Sequence, residues 1–382
     1  MNPVVLKAAV GAAALALVAG CGAGGQRATS GGAAPVSGAP TVALHFTDDG
    51  CAPSPATVPA GPVNFHAENR GANAVTEVEV MKGDRILGEK ENLTPGLTGS
   101  FSLRLEAGDH VIYCPNAATE RAKLTVTAGA NPAAANAASA QLSGAVATYR
   151  RFVEAQAGAL VPATTRFAAA VKSGDLAAAR SAYPVARGYY ERIEPVAESF
   201  GDLDPEIDAR VNDLPQGAQW TGFHRIEKAL WVDGTTTGMA PVADKLVSDV
   251  TRLQALVKTV DLQGAQVANG AVELLGEVAN SKITGEEDRY SHTDLYDFAA
   301  NVDGVEAAVT ALTPAMKKVD PALQSSVATR FAAVKSSLDQ FRQGAGFVAY
   351  TPENVPAAKR RELTATVNAL AETLSKVAPA LT

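Results

Sequence analysis

Histidine, cysteine and tryptophan are scarce in these 382 residues, numbering five, three and two. Aromatic residues make up only 5%, and 33 Lys and Arg are outnumbered by 40 Asp and Glu. The resulting net charge of −7, with a pI near 5.4, argues against nucleic acid, whose phosphates require a positive field, and favours cationic ligands. No long basic run contradicts that balance. No Ser/His/Asp or Cys/His arrangement is visible either, which favours binding over catalysis. Apolar runs are short. The one at the N-terminus, after Lys7, falls below the roughly 20 residues that a bilayer core requires.

What is present at that end, MNPVVLKAAVGAAALALVAGC, has the charged start, apolar middle and small-residue close of an export signal over residues 1–20. Val18, Ala19, Gly20 and Cys21 resemble a lipobox, predicting cleavage before Cys21 and acylation of its thiol. The mature chain would then be lipid-anchored on the outer face of the cytoplasmic membrane. Residues 21–40, rich in Gly, Ser, Ala and Pro, read as a flexible tether.

Two halves with different periodicity follow. From 41 to 128 apolar residues alternate, as in Val42, Leu44, Phe46 and in Phe101, Leu103, Leu105, between Gly- and Pro-rich turns. That pattern predicts a small β-sandwich. Residues 129–140, ANPAAANAASA and its flank, read as a second linker, although so much alanine can also continue into a helix. From 141 to 382 the spacing becomes helical, predicting an all-α bundle.

In that helical half, GFHRIEKALW places His224 and Glu227 three apart, so both project from one helix face. The zinc-peptidase pattern is different, with two histidines four apart and the glutamate between them as base. Here the glutamate would itself be a ligand. YYERIEPVAESFGDLD adds Glu191, Glu194 and Glu198, and EEDRYSHTDLYDFAANVDG adds Asp294 and Asp297. Inward-facing acids and a Glu–His element sharing a bundle core is the logic of carboxylate-bridged iron proteins. The bland alternative is one hydrogen-bonded core imidazole and acidic stripes facing water. Glu191 and Glu198 read as such solvated acids, and Asp294 as a salt-bridge partner of Arg289 or Lys282.

GFHRIEKALW, YERIEPVAESFGDLDPEID and GEEDRYSHTDLYDFAANVDG together resemble the signature stretches of the EfeO family, exported iron-binding components of a bacterial iron-uptake system. The resemblance implies an imelysin-type helical domain over residues 141–382 and places the family's His-x-x-Glu element on His224 and Glu227. Glu194 and Asp297 are our own choice of further ligands, because each shares a stripe with another acid inside a signature stretch. The resemblance also implies iron as cargo, with a membrane iron permease and a haem peroxidase as partners.

The N-terminal half resembles the cupredoxin-like domain of the same family through HFTDDGCAPSPATVPAG, AVTEVEVMKG and GDHVIYCPNA. A blue-copper centre needs a histidine and a methionine close behind its cysteine. PNAATERAK, after Cys114, has neither. Two readings stay open for Cys51 and Cys114: a disulfide, which an exported compartment permits, or a thiolate pair binding copper or iron with Glu77. Glu77, Glu79 and Met81 would face one side of a strand by alternation. His45, His66 and His110 read as surface or packing residues. The competing function is a polysaccharide- or peptide-binding lipoprotein with a structural metal, stacking its ligand on Tyr189, Tyr190, Trp220 and Trp231. A metallopeptidase comes last.

Overall fold

The computed structural model describes residues 35–83, 85–129, 132–214, 217–260 and 262–381. The export signal and Cys21 lie outside them. Nine strands come first: β1 (Thr41–Phe46), β2 (Pro53–Ser54), β3 (Thr57–Pro59), β4 (Gly61–Asn69), β5 (Val78–Lys82), β6 (Arg85–Lys90), β7 (Thr98–Leu105), β8 (Gly108–Tyr113) and β9 (Arg121–Thr127). They form two sheets, ordered β2-β1-β4-β7 and β3-β9-β8-β5-β6. Alternation decides what lies between them: Val42, Leu44 and Phe46 of β1 and Val63, Phe65 and Ala67 of β4 are fully buried. Phe65 stacks on Phe101 across the β4–β7 pair, ring centres 5.0 Å apart.

The helical half comprises α1 (Pro132–Ser173), α2 (Leu176–Glu191), α3 (Leu203–Asp208), α4 (Gly222–Lys228), α5 (Ala240–Leu256), α6 (Gly264–Asn280), α7 (Asp294–Val319) and α8 (Pro321–Asp339). The small hairpin β10 (Arg342–Gln343) and β11 (Gly346–Phe347) follows, then α9 (Ala357–Leu374) and α10 (Val377–Leu381). Helical periodicity sets the core here. Tyr149, Val153, Leu160 and Phe167 share one buried face of α1.

Two sequence boundaries shift. Helix α1 begins at Pro132, inside the expected linker 129–140, because alanine is the best helix former and proline suits a first turn. The expected tether 21–40 is already docked before Thr41: the Asn64 side chain accepts from Val36 N–H at 2.7 Å and donates to Val36 C=O at 3.0 Å.

Helix α6 lies across the sandwich. The Lys90 ammonium, almost fully buried, sits 2.6 Å from Glu273 Oε1, and Gln266 Nε2 donates to the Ile86 carbonyl at 2.9 Å. A cleft of about 1260 Å³ remains between the two halves. Glu77, Glu79 and Met81 stand on its sandwich wall. Asp208, Glu277, Lys282 and Glu287 stand on its bundle wall.

Candidate metal centre

One glycine brings two short helices into register. Gly222, first residue of α4, has φ +81, and a Cβ there would overlap the Ile207 carbonyl at the end of α3. Only glycine accepts both conditions. The close approach puts His224 beside Asp208, one residue beyond Ile207. Gly270 of α6 does the same for the short 3-10 turn Glu194–Phe200, since a Cβ there would overlap the Pro195 carbonyl.

His224 is buried, and its two ring nitrogens differ. Nδ1 lies 3.0 Å from Glu227 Oε2, while Glu227 Oε1 accepts backbone N–H from Tyr290 at 3.0 Å and Ser291 at 2.8 Å. Glu227 is therefore fixed, and it orients the ring. Among the described residues Nε2 has no hydrogen-bond partner, and it faces Asp208 Oδ1 at 3.6 Å and Glu287 Oε1 at 3.5 Å. These three residues can bring one donor atom each within 4.8 Å of one another. A second set on the other ring face joins His224, Glu227 and Asp288, with the Tyr183 hydroxyl donating to Asp288 Oδ1 at 2.8 Å. Of the two, the Nε2 set opens on the cleft, because Asp208 and Glu287 line it and Glu227 and Asp288 do not.

Around this face the charge is mostly negative and mostly buried. Arg187 of α2, fully buried, reaches Glu191, Asp208, Glu287 and Asp297. Lys282 binds Glu194 Oε1 at 2.6 Å and Glu191 Oε2 at 3.3 Å, and Asn301 Nδ2 donates to both carboxylates. The cleft is lined by twelve acidic residues against four basic ones, which draws in cations.

Burial and crowding divide the protonation states. Burial pushes the Asp208 carboxyl up to about 7, against the pull of Arg187 and His224. Burial likewise holds Asp297 well above the carboxylate range despite Arg187, with Asp288 adding to the rise. Burial would raise Glu287 too, but Lys282, His224, Arg210 and Arg187 hold it well below that range. Burial and Arg187 push the His224 imidazole down, and Asp208, Glu227 and Glu287 outweigh them, bringing it up to about 10. The His224 imidazole therefore holds its second proton at neutral pH, and an entering metal ion must displace the one on Nε2.

The residues singled out by sequence fare unequally. His224 and Glu227 meet, with Glu227 aligning the ring. Asp297 belongs to a neighbouring group with Glu191 and Glu287. Glu194 is held by Lys282 and Asn301 and joins none of the groups around His224. Glu191, read as a solvated acid, is fully buried, because Arg187 and Lys282 compensate its charge. The Glu198 side chain lies outside the described residues. Asp294 pairs with neither Arg289 nor Lys282; its Oδ1 accepts the Asp288 N–H at 3.3 Å. Asp208, Glu287 and Arg187 were missed. Asp208 and Glu287 stand inside the signature stretches, as the last residue of DPEID and the second acid of GEEDRY.

In the sandwich, Cys51 and Cys114 form a disulfide with Cα atoms 6.3 Å apart. Both sulfurs are committed to each other, so the copper or iron thiolate reading with Glu77 falls. Glu77 instead stands on the cleft wall, where burial raises its carboxyl. His110 is buried, His66 Nδ1 contacts Ser100 Oγ at 3.0 Å, and His45 pairs with Glu68 at 3.1 Å. The aromatics of the carbohydrate reading, Tyr189, Tyr190, Trp220 and Trp231, do not line the cleft.

A family profile described as imelysin matches residues 145–377, and one described as a cupredoxin-like domain matches residues 12–126. The iron uptake system component EfeO of Escherichia coli K12 is 40% identical over 342 residues, covering 88% of this chain and 90% of that protein. The chain belongs to the EfeO family. The EfeO protein of Shigella flexneri matches over the same shares at the same identity. A solved structure from Parabacteroides distasonis, described as an iron-regulated protein A precursor, covers 64% of this EfeO-family chain and 96% of its own. At 17% identity and a TM-score of 0.50 it shares the fold. Imelysin is also a peptidase family name, whereas the EfeO relatives are named as uptake components.

Proposed function

We propose that this chain is an extracytoplasmic iron-binding protein that captures iron at His224 Nε2, Asp208 and Glu287 and delivers it to a membrane permease. The observation that carries the reading is the buried, unpartnered Nε2 of His224, facing two carboxylates at the wall of an acidic cleft. One imidazole nitrogen with hard carboxylate oxygens suits ferrous or ferric iron. Glu227 holds the ring from behind, as carboxylates do for metal-binding histidines. The names of the relatives, iron uptake system components, support iron as the cargo.

The acidic cleft concentrates cations at its mouth, and Asp208 and Glu287 receive them at the bundle wall. Proton release accompanies binding, so the ion is held less tightly in acid. Export and acylation at Cys21 would keep the protein beside its permease. A haem peroxidase acting on the iron completes the proposed system. Among the described residues no helix is long and apolar enough to cross a membrane.

Anaerobic titration with ferrous iron, and aerobic titration with chelated ferric iron, test the reading on the mature protein and on His224→Ala. The expected result is tight binding that the substitution abolishes. Binding unchanged in His224→Ala would remove the site's physical basis.

A further inference from the structure

Helix α6 meets the sandwich through a polar face. Gln266, Asn269 and Glu273 stand three and four residues apart, so they share one side of the helix. Gln266 Nε2 donates to the Ile86 carbonyl at 2.9 Å, and Asn269 Nδ2 donates to the Ser102 carbonyl at 2.5 Å. The two oxygens of Glu273 lie 2.6 and 2.8 Å from Lys90 Nζ. Gly99 leaves the room that the Lys90 stem occupies, since a Cβ there would overlap it. Apolar packing does not join the halves: the buried residues of the sandwich and those of the bundle form two separate cores. A contact made of hydrogen bonds and one ion pair lets domains move, because no shared core is exposed when it loosens. The ion pair itself loses in desolvation much of what it gains in attraction, so it sets geometry without locking it.

This contact borders the cleft, where Glu273 and Glu89 stand. Beyond it the two walls carry charge of one sign. On the sandwich side Glu77, Glu79, Glu89 and Glu91 outnumber Lys82 and Arg121, and on the bundle side eight acids outnumber Arg210 and Lys282. Facing walls of like charge repel, and the low-dielectric protein behind them strengthens the field between them. We propose that the sandwich is a movable wall that pivots on the Gln266, Asn269 and Glu273 face of α6, held apart from the bundle by repulsion between their acids and drawn shut by a multivalent cation in the cleft. Closure slows the return of a captured cation to solvent, and loss of the cation reopens the mouth. The movement does not depend on His224: a multivalent cation that screens both walls closes the cleft whether or not an ion is coordinated behind it.

Pulsed dipolar spectroscopy between spin labels on Thr76→Cys, beside Glu77, and Thr259→Cys, on the opposite wall, measures the width of the cleft; both positions are exposed. The mature chain carries Cys21→Ser, and the Cys51–Cys114 disulfide leaves no other thiol to label. The probe is hexaamminecobalt(III), a diamagnetic trivalent cation whose inert shell prevents ligation by carboxylates. At low ionic strength the label distance is long and broadly distributed. The probe shortens and narrows it, potassium chloride does so only at far higher concentration, and the His224→Ala chain responds like wild type. Glu77→Gln with Glu79→Gln, which leaves two acids against two cations on the sandwich wall, gives the short distance without the probe. Lys90→Met, lacking the ion pair of the pivot, gives a broader distribution that the probe narrows less. A distance unmoved by the probe, an equal movement in the Glu77, Glu79 double variant, or a Lys90→Met distribution identical to wild type overturns the proposal. Absence of iron binding with the distance response intact defeats the His224 reading instead and leaves the movable wall standing.

Discussion

His224 Nδ1 lies 3.0 Å from Glu227 Oε2, and the other oxygen of that carboxylate is anchored by two backbone N–H groups, from Tyr290 and Ser291. In the proposed site, the pair that reads in sequence as two ligands on one helix face becomes a ligand and its support. Glu227→Gln keeps the shape, removes the charge and allows the wrong tautomer. Iron affinity should fall about 10- to 100-fold, the usual effect of losing such a support. Isothermal titration would show it, and complete loss would instead mark Glu227 as a direct ligand.

Asp208 and Glu194 separate the structural ligand set from the sequence-based one. Asp208→Asn should weaken iron binding at least as much as Glu227→Gln, since Asp208 faces His224 Nε2. Glu194→Gln should leave affinity nearly unchanged, because Lys282 and Asn301 hold that carboxylate away from the imidazole. Parallel titrations of the two variants decide the matter, and the reverse order would return Glu194 to the site.

Metal-free stability should carry the mark of Asp208. Its carboxyl is raised from 3.8 to about 7 in the fold, so the native state holds a proton that the unfolded chain has lost. The stabilisation is complete below 3.8 and disappears as pH rises through about 7. The Tm of wild type relative to Asp208→Asn should therefore decline across that window and then level off. Iron binding runs the other way and strengthens as the proton leaves. A Tm difference that climbs with pH would contradict the assignment.

The disulfide closes a 63-residue span within the sandwich. Chain entropy for a loop of that length predicts a loss of about 4 kcal/mol when Cys51 and Cys114 are both replaced by Ser. Denaturant unfolding followed in the sandwich would register the loss. Iron stoichiometry should stay the same, since among the described residues no donor grouped with His224 comes from the sandwich.

The division into sandwich and bundle was legible because periods of two and of 3.6 leave distinct marks, as Val42, Leu44, Phe46 and Tyr149, Val153, Leu160 illustrate. His224 and Glu227 were legible because both sit on one helix turn. Their roles were not, since Glu227's second oxygen is claimed by Tyr290 and Ser291, which lie 63 and 64 positions away. Asp208 was hidden for a similar reason: its approach to His224 depends on Gly222 allowing α4 to begin against the Ile207 carbonyl. Arg187 carried no signal at all, because nothing in the sequence of α2 shows that four carboxylates from elsewhere, along with Glu191, converge on it. Alanine-rich residues 132–140 were ambiguous between linker and helix, and propensity settled them as helix.

An anomalous difference map of iron-soaked crystals, measured at the iron edge, locates the bound ion itself. One peak is expected about 2.1 Å from His224 Nε2, coordinated by Asp208 and Glu287 and opening on the cleft. A peak on the Nδ1 side between Glu227 and Asp288, or one confined to the sandwich, would contradict it.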